Sequence, residues 1–269
     1  MKVLVFTDLH YYGGTQAYCI SKKKLVQFAE PMLDEFKRIS KEEKVDFVIN
    51  LGDIIQDTNN KELDLDCLKY IFGRLQEFSC PVYSVLGNHD LKMMDSINEV
   101  EPLIKQNPAT FSMNYDGYHL VFLSPEVRPE LGLLRGGIYK TQNLSEETLK
   151  WLEKDLEQNK LPTLVFMHFS LAEDPTIEDE CLFLKNRGAV KDILLRSGQI
   201  KAVFVGHQHT PNFIEENGIP HYIIGSPTAS LLEDGIPIGT YLMIETKGKD
   251  LIILDKKIPE KFYKDELSN

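Results

Sequence analysis

Short apolar runs alternate with amphipathic stretches along the first third of the chain. The runs are bounded by polar or turn residues, which predicts buried strands. They lie at Val3–Phe6, Asp46–Asn50 and Val82–Val85. Between them, apolar residues recur near helical spacing over Ser21–Lys41 and Leu63–Glu77, and we expect Pro31 to kink or divide the first helix. This alternation of strands and helices is typical of a parallel sheet.

The rest of the chain is richer in strands. We predict them at His119–Leu123, Thr163–Met167, Ala202–Val205, His221–Ile224, Tyr241–Ile244 and Leu251–Leu254, with the last three consecutive and antiparallel. Helices are predicted from the N-cap Ser145, which two glutamates follow, and near Ala189–Arg196. A long loop over Ser124–Asn143 precedes the first of these helices. Because no repeat or linker interrupts the pattern, we predict a single domain over residues 1–269.

Five of the predicted strands end in short motifs of histidine, aspartate or asparagine. The motifs are Asp8-Leu9-His10, Gly52-Asp53, Gly87-Asn88-His89-Asp90, Met167-His168 and Gly206-His207-Gln208-His209. Ligands gather at the carboxyl ends of strands in open α/β sheets, so we expect these side chains to lie together. Histidine and aspartate bind first-row metals, and asparagine adds a carbonyl oxygen. Seven such ligands are too many for one ion but fit two ions that share a carboxylate, which predicts a binuclear metal hydrolase.

Charge and composition narrow the class of protein further. The net charge of −11 and the absence of a basic stripe argue against binding of long nucleic acid. No apolar stretch is long enough for a membrane span, and a signal peptide at the start would remove Asp8 and His10. The cysteines show no Cys-x-x-Cys spacing, which favours reduced thiols. We therefore expect a cytoplasmic protein.

In this order, the five motifs resemble those of the calcineurin-like metallophosphoesterase family. The resemblance spans residues 8–209. It implies an α/β fold, a four-layer αββα sandwich of two mixed sheets flanked by helices, with a binuclear site at the sheet ends. By the same resemblance, the first ion would be held by Asp8, His10 and His209, the second by Asn88, His168 and His207, and Asp53 would bridge both. These nitrogen and oxygen ligands suit manganese, iron or zinc, whereas magnesium rarely takes histidine.

A centre of this kind predicts the chemistry of the remaining motif residues. Two ions about 3.5–4 Å apart can share a hydroxide and clamp the phosphoryl oxygens, so no side-chain nucleophile is required. We expect His89 to stay off the metals and to contact the leaving-group or a phosphoryl oxygen, as general acid or electrostatic stabiliser. Asp90 is expected to accept a hydrogen bond from His89 and set its tautomer, although many family members carry glutamate there.

Substrate selection is expected to depend on the loops. Residues 136–152 resemble the branch that includes the bacterial cyclic-nucleotide and glycerophosphodiester phosphodiesterases. That branch often continues the lone histidine as His-His-Pro-Pro, whereas this chain has His168-Phe169-Ser170-Leu171. Tyr11 can stack on a base or simply pack its loop, and Arg135 can meet a second phosphate or remain solvated.

Three hypotheses of function follow. The leading one is a hydrolase of a small phosphodiester, with cyclic nucleotides among the candidates. The second is a phosphomonoesterase or nucleotide pyrophosphatase that uses the same centre. The third is a non-catalytic scaffold, but scaffolds of this family typically lose ligands, and here His89 and all seven ligand positions are intact. The expected partner is a small phosphate ester. Some members of the family dimerise through inserted or C-terminal elements, so a homodimer that involves the tail Ile258–Asn269 is a further hypothesis.

Overall fold

The computed structural model describes residues 1–13, 24–104, 106, 108–133, 138–173, 179–248, 250–260 and 262–263. Its strands are β1 (Lys2–Phe6), β2 (Phe47–Asn50), β3 (Val82–Ser84), β4 (Phe111–Tyr115), β5 (Tyr118–Leu123), β6 (Thr163–Met167), β7 (Ile200–Val205), β8 (Asn212–Glu216), β9 (Ile219–Ile223), β10 (Thr240–Lys247) and β11 (Asp250–Lys257). Its helices are α1 (Ala29–Glu42), α2 (Lys61–Leu75), α3 (Asn88–Leu91), α4 (Ile138–Thr141), α5 (Glu146–Gln158) and α6 (Arg187–Ser197). Short 3-10 helices lie at Val26–Phe28, Ile97–Glu99, Glu101–Leu103, Pro129–Leu131 and Glu180–Leu182.

The strands form two mixed sheets. The first has the order β11-β10-β1-β2-β3, in which β1, β2 and β3 are parallel and β10 runs antiparallel to both of its neighbours. The second has the order β4-β5-β6-β7-β9-β8, in which β5, β6, β7 and β9 are parallel and the two edge strands are antiparallel. Each sheet therefore contains a run of neighbouring parallel strands whose carboxyl ends share one edge.

Alternating side chains of the strands build the layers, because successive residues of a strand point to opposite faces. In β1, Val3 and Val5 pack between the sheets, where Phe166 contributes from β6. Leu4 and Phe6 face the other way and pack with residues of α1 and α2. The outer face of the second sheet packs with α5 and α6. The predicted four-layer αββα sandwich is confirmed, and strands covered on both faces explain the continuous apolar runs.

The beginning of α1 differs from the sequence prediction. Residues 21–23 lie outside the described residues, and the α-helix begins at Ala29 after a short 3-10 helix. Pro31 therefore lies in the first turn, where backbone N–H groups have no partner within the helix. The helix continues from Ala29 to Glu42, so the predicted division at Pro31 was wrong, because proline removes no hydrogen bond that this turn requires.

The prediction for the strands near the end of the chain was partly wrong. The strand predicted at His221–Ile224 belongs to the second sheet as β9, parallel to β7, so only β10 and β11 form the predicted antiparallel neighbours. The sequence analysis missed the edge strands β4 and β8. β4 carried a signal, since Phe111, Met113 and Tyr115 alternate with polar residues, whereas β8 shows no such alternation. The predicted cap was confirmed: Ser145 Oγ accepts a hydrogen bond from the backbone N–H of Thr148 at 3.1 Å. Among the described helices, none has both the length and the apolar character to cross a membrane.

Candidate metal centre

All five polar motifs meet at the carboxyl ends of the parallel strands. Asp8 and His10 follow β1, Asp53 follows β2, Asn88 follows β3, His168 follows β6, and His207 and His209 follow β7. The seven side chains predicted as ligands are thus brought together from both sheets. Six of them form two clusters that share the carboxylate of Asp53, and Asn88 adjoins the second cluster.

The first ligand group consists of Asp8, His10 and His209. The Nε2 atoms of His10 and His209 lie 2.9 Å apart, and Nε2 of His209 lies 3.2 Å from Oδ1 of Asp8. Together with a carboxylate oxygen of Asp53, the donor atoms of this group all lie within 4.8 Å of one another. Such convergence of ring nitrogens and carboxylates suits a cation of the zinc, iron or manganese type.

The second ligand group consists of Asn88, His168 and His207. Nε2 of His168 lies 3.2 Å from Oδ1 of Asn88 and 3.1 Å from Nδ1 of His207. It also lies 3.4 Å from Oδ2 of Asp53. Because Asp53 belongs to both clusters, its position fits that of a bridging carboxylate.

The backbone around the ligands adopts conformations that side chains usually avoid. Asp8, His10, Asp53, His207 and His209 all have positive φ angles, between 50° and 67°. A positive φ is uncommon for residues other than glycine and concentrates at functional sites. The sharp turns that follow β1, β2 and β7 therefore aim these side chains across the sheet edge.

Two motif glycines are required by close packing. A Cβ atom at Gly87 would lie 2.2 Å from Oδ1 of Asp53. A Cβ atom at Gly206 would lie 2.0 Å from Oγ1 of Thr7 and 2.6 Å from Oδ2 of Asp8. The glycines in these motifs let neighbouring loops approach the two carboxylates closely.

Backbone carbonyls fix the histidine rings of the second ligand group. Nδ1–H of His168 donates to the carbonyl oxygen of Leu51 at 2.8 Å, and Nε2–H of His207 donates to that of Cys181 at 2.9 Å. These bonds leave Nε2 of His168 and Nδ1 of His207 facing each other. Outer hydrogen bonds of this kind set the tautomer and orientation of metal-binding histidines.

The charges of the site fit a buried pair of cations. Oδ1 of Asp8 and Oδ2 of Asp53 are buried and have no hydrogen-bond partner among the described residues. Burial alone would raise the pKa of Asp53, but the neighbouring His168 and His89 hold it well below its usual range. Burial also keeps the pKa of His10 well below normal and lowers that of His207 to about 3. Ionised carboxylates and neutral imidazoles are the forms that bind metals.

The pKa of His168 shifts in the direction opposite to those of His10 and His207. Burial lowers the pKa of His168, but the nearby carboxylates of Asp53 and Asp8 outweigh this and raise it to about 9. Positive charge is therefore favoured at this point between the carboxylates. A metal ion in the second ligand group would supply that charge in place of the proton.

Asp90 does not have the predicted role. Its Oδ2 accepts the backbone N–H of Gly87 at 2.8 Å, and its Oδ1 accepts those of Ile54 and Ile55 at 2.9 and 3.2 Å. Asp90 is the third residue of α3, from which a side chain turns back to the residue before the helix. The predicted hydrogen bond from His89 to Asp90 was wrong, and Asp90 instead ties two ligand loops together.

The partner of His89 is Asp57, which the sequence prediction missed. Nδ1 of His89 forms a very short contact with Oδ1 of Asp57, and Nζ of Lys92 donates to Oδ2 of Asp57 at 2.6 Å. The backbone N–H of His89 donates to Oδ1 of Asp53 at 2.7 Å, and Nε2 of the ring lies 3.8 Å from Oδ2. A signal was present, since Asp57 comes four residues after Asp53 in the same loop.

Lys24 is a second residue that the sequence prediction missed at this site. Its ammonium donates to Oε1 of Gln56 at 3.1 Å and lies 3.3 Å from Nε2 of His89. Burial lowers the pKa of Lys24, while the nearby carboxylates act in the opposite direction. The run Lys22-Lys23-Lys24 gave no hint that its last member faces the site.

The two residues predicted to contact substrate have different outcomes. Tyr11 stacks on Tyr70 with ring centroids 5.1 Å apart, and burial raises its pKa to about 12. Its ring thus packs within the protein, so stacking on a base stays a prediction. Arg135 lies outside the described residues.

A comparison of the sequence with family profiles identifies the class of protein. Residues 1–211 match the profile of the calcineurin-like phosphoesterases, so the chain belongs to the calcineurin-like phosphoesterase family. It is a metal-dependent phosphoester hydrolase.

Individual proteins that resemble this chain do so at low sequence identity. A probable cyclic nucleotide phosphodiesterase from Xenorhabdus bovienii is 25% identical over 221 residues, which cover 81% of this chain and 83% of that protein. A manganese-dependent ADP-ribose/CDP-alcohol diphosphatase from Arabidopsis thaliana is 22% identical over 216 residues, 65% of this chain and 68% of that protein. A dimetal phosphatase from Danio rerio has the same fold, with a TM-score of 0.74, 16% identity and 96% of each chain covered.

Proposed function

We propose that the protein is a binuclear metal-dependent phosphodiesterase that hydrolyses a small phosphodiester, with cyclic nucleotides among the candidate substrates. The observation that carries the proposal is the shared position of Asp53, whose carboxylate lies within both ligand clusters. The name of the Xenorhabdus relative supports the substrate class.

Each ligand group would hold one ion, with Asp53 between them. When bound, the two ions would supply Lewis-acid chemistry: they would lower the pKa of a water nucleophile and neutralise charge on the phosphoryl oxygens. The protein's own contribution is to fix the donor atoms before the ions arrive. The carbonyls of Leu51 and Cys181 do this for the second group by holding two imidazole tautomers.

His89 would act on the leaving group. Asp57 contacts Nδ1 of His89, which leaves Nε2 directed toward the space beside Asp53. A proton held on Nε2 can be given to the leaving-group oxygen, and Asp57 would stabilise the charged ring before the transfer. Lys92 offsets the charge of Asp57 on its other side. General acid catalysis of this kind contributes about 10²- to 10⁴-fold.

A second candidate is hydrolysis of a nucleotide diphosphate linkage at the same centre. Two observations favour it. Lys24 adds a positive charge beside His89, and the Arabidopsis relative is named a diphosphatase. A phosphomonoesterase would use the same arrangement, because an additional cation also suits a dianionic phosphate.

A substrate panel tests these proposals. The purified protein would be assayed with manganese, iron and zinc on bis-p-nitrophenyl phosphate, a 3′,5′-cyclic nucleotide, ADP-ribose and p-nitrophenyl phosphate, with Asp53→Asn as the control. We expect turnover of the diester, about two ions per chain by metal analysis, and loss of both in the control. If the protein binds metal but turns over none of these substrates, the catalytic proposal is wrong and the scaffold hypothesis is favoured.

A further inference from the structure

Lys24 reaches the site from a segment that the backbone holds in place. The backbone N–H of Leu25 donates to the carbonyl oxygen of Thr228 at 3.0 Å, and Lys24 pairs with Ala229 in an antiparallel bridge. The hydroxyl of Thr228 donates in turn to the carbonyl oxygen of Leu9 at 3.2 Å. Lys24 is therefore anchored to the loop that also braces the first ligand motif.

The ammonium of Lys24 has no carboxylate partner within salt-bridge distance in the described part of the chain. It contacts Gln56 and His89, and no salt bridge to it is found among the described residues. Lys92 is different, since its ammonium lies 2.6 Å from Oδ2 of Asp57. Of the two lysines near His89, Lys92 thus offsets a protein carboxylate, and Lys24 remains available to a bound anion.

Bound metal ions would raise the energetic cost of a positive charge at Lys24. A lysine that is partly buried near two metal ions is repelled by them, and the repulsion is strong where water is partly excluded. An anion that binds beside the lysine removes the penalty. The ammonium lies 3.3 Å from Nε2 of His89, which in turn lies 3.8 Å from Oδ2 of Asp53, so a bound anion beside His89 would be close to both the ammonium and the imidazole.

We infer that Lys24 binds an anionic phosphate oxygen beyond those that a simple diester presents, and so selects substrates that carry additional phosphate charge. The inference rests on the metal centre of the proposed function, and it favours the second candidate substrates, diphosphates and monoesters, over a cyclic nucleotide. Two sources share this chemistry. One is the second phosphate of a diphosphate linkage, and the other is the second negative charge of a phosphomonoester.

The test compares three variants on three substrates. Lys24→Met removes the charge and keeps the apolar stem, Lys24→Arg keeps the charge, and Lys69→Met removes an exposed lysine of α2 as the control. The substrates are bis-p-nitrophenyl phosphate, p-nitrophenyl phosphate and ADP-ribose, each with manganese. We expect Lys24→Met to lower kcat/KM on p-nitrophenyl phosphate or on ADP-ribose about 10- to 100-fold more than on the diester. Lys24→Arg should recover part of the loss.

The substrate affected identifies the source of the anion. A loss confined to ADP-ribose assigns the contact to a second phosphate, and a loss confined to p-nitrophenyl phosphate assigns it to a monoester oxygen. An equal loss on all three substrates would overturn the inference, because Lys24 would then act by positioning His89.

Binding measurements separate this inference from the proposed function. Calorimetry with manganese, inorganic phosphate and a methylene-bridged analogue of ADP needs no turnover. We expect Lys24→Met to bind manganese as tightly as the wild type or more tightly, since a repulsive charge is gone, and to bind one of the two anions at least about tenfold more weakly. Unchanged affinity for both anions would overturn the inference even in an active enzyme. If the wild type is inactive on every substrate, the proposed function fails, and these affinities still decide the role of Lys24.

Discussion

The two predicted ligand groups differ in how they are prepared to bind a metal ion. In the second group, His168 is fully buried and its ring is fixed by the carbonyl of Leu51. In the first group, the side chain of His209 is 21% exposed, and Nδ1 of His10 has no hydrogen-bond partner among the described residues. The first group instead has Asp8, a charged ligand, where the second has the neutral Asn88. The second group is thus oriented in advance, and the first group carries more negative charge.

The magnitudes indicate which property dominates the affinity for metal. Outer hydrogen bonds to ligating histidines change affinity by about 10- to 100-fold, or roughly 1.4–2.7 kcal/mol. An additional unit charge about 4 Å from a cation is worth about 4 kcal/mol at an effective dielectric constant near 20, and more for a divalent ion. The second group must also lose the proton that the raised pKa of His168 retains. We therefore expect the first group to bind its ion more tightly.

Replacing the shared carboxylate should have the largest effect, because it removes charge from both groups. Asp53→Asn keeps the shape of the side chain, yet we expect both ions to be lost and kcat/KM to fall about a thousandfold or more, since the ions supply several kcal/mol of transition-state stabilisation. Metal analysis and steady-state rates would measure this. A variant that keeps two ions per chain would show that Asp53 is not the bridge.

The pair His207 and His209 compares the groups directly, because one histidine of the same motif belongs to each. His207→Gln leaves the first group intact, and His209→Gln leaves the second intact. After exhaustive dialysis we expect about one ion per chain in His207→Gln and clearly less in His209→Gln, because the additional carboxylate retains the ion. Metal analysis of the two dialysed variants gives the result. The reverse order would mean that orientation of the ligands outweighs charge.

The convergence of the seven predicted ligands was easier to predict from the sequence than their surroundings. Each predicted ligand lies within four residues of the end of an apolar strand, and parallel strands bring their carboxyl ends to one edge, so order along the chain was sufficient to predict that they converge. The role of Asp57 was harder to predict, because whether His89 turns to Asp57 or Asp90 depends on side-chain directions in a short helix. Lys24 was beyond the sequence, because its position depends on a bridge to Ala229, about two hundred residues away along the chain.

Asp57 touches neither ligand group, so its loss should reduce rate and leave metal content unchanged. Asp57→Asn removes the charge that stabilises a protonated His89, and we expect kcat to fall about 10- to 100-fold with about two ions still bound. The pH–rate profile should also shift, which a purely structural effect would not produce.

Asp90→Asn serves as the contrasting variant. Asp90 accepts three backbone N–H groups, which an amide satisfies poorly, so this change should lower stability by about 1–3 kcal/mol. Thermal unfolding distinguishes the loss of stability expected for Asp90→Asn from the loss of rate expected for Asp57→Asn. If Asp57→Asn unfolds early and keeps its pH profile, then Asp57 is structural.

Tyr11 should show the smallest effect, although it directly follows His10, a predicted ligand of the first group. Its ring already packs on Tyr70, and an aromatic pair contributes about 0.5–1.5 kcal/mol to stability beyond area burial. We expect Tyr11→Ala to lower the free energy of unfolding and to change KM by less than about threefold on bis-p-nitrophenyl phosphate and on ADP-ribose alike, because the packing does not depend on the substrate. Tyr11→Phe should restore the stability. A rise in KM confined to the nucleotide would show instead that Tyr11 leaves Tyr70 to stack on the base, and the first ligand group would then be the side on which the nucleotide binds.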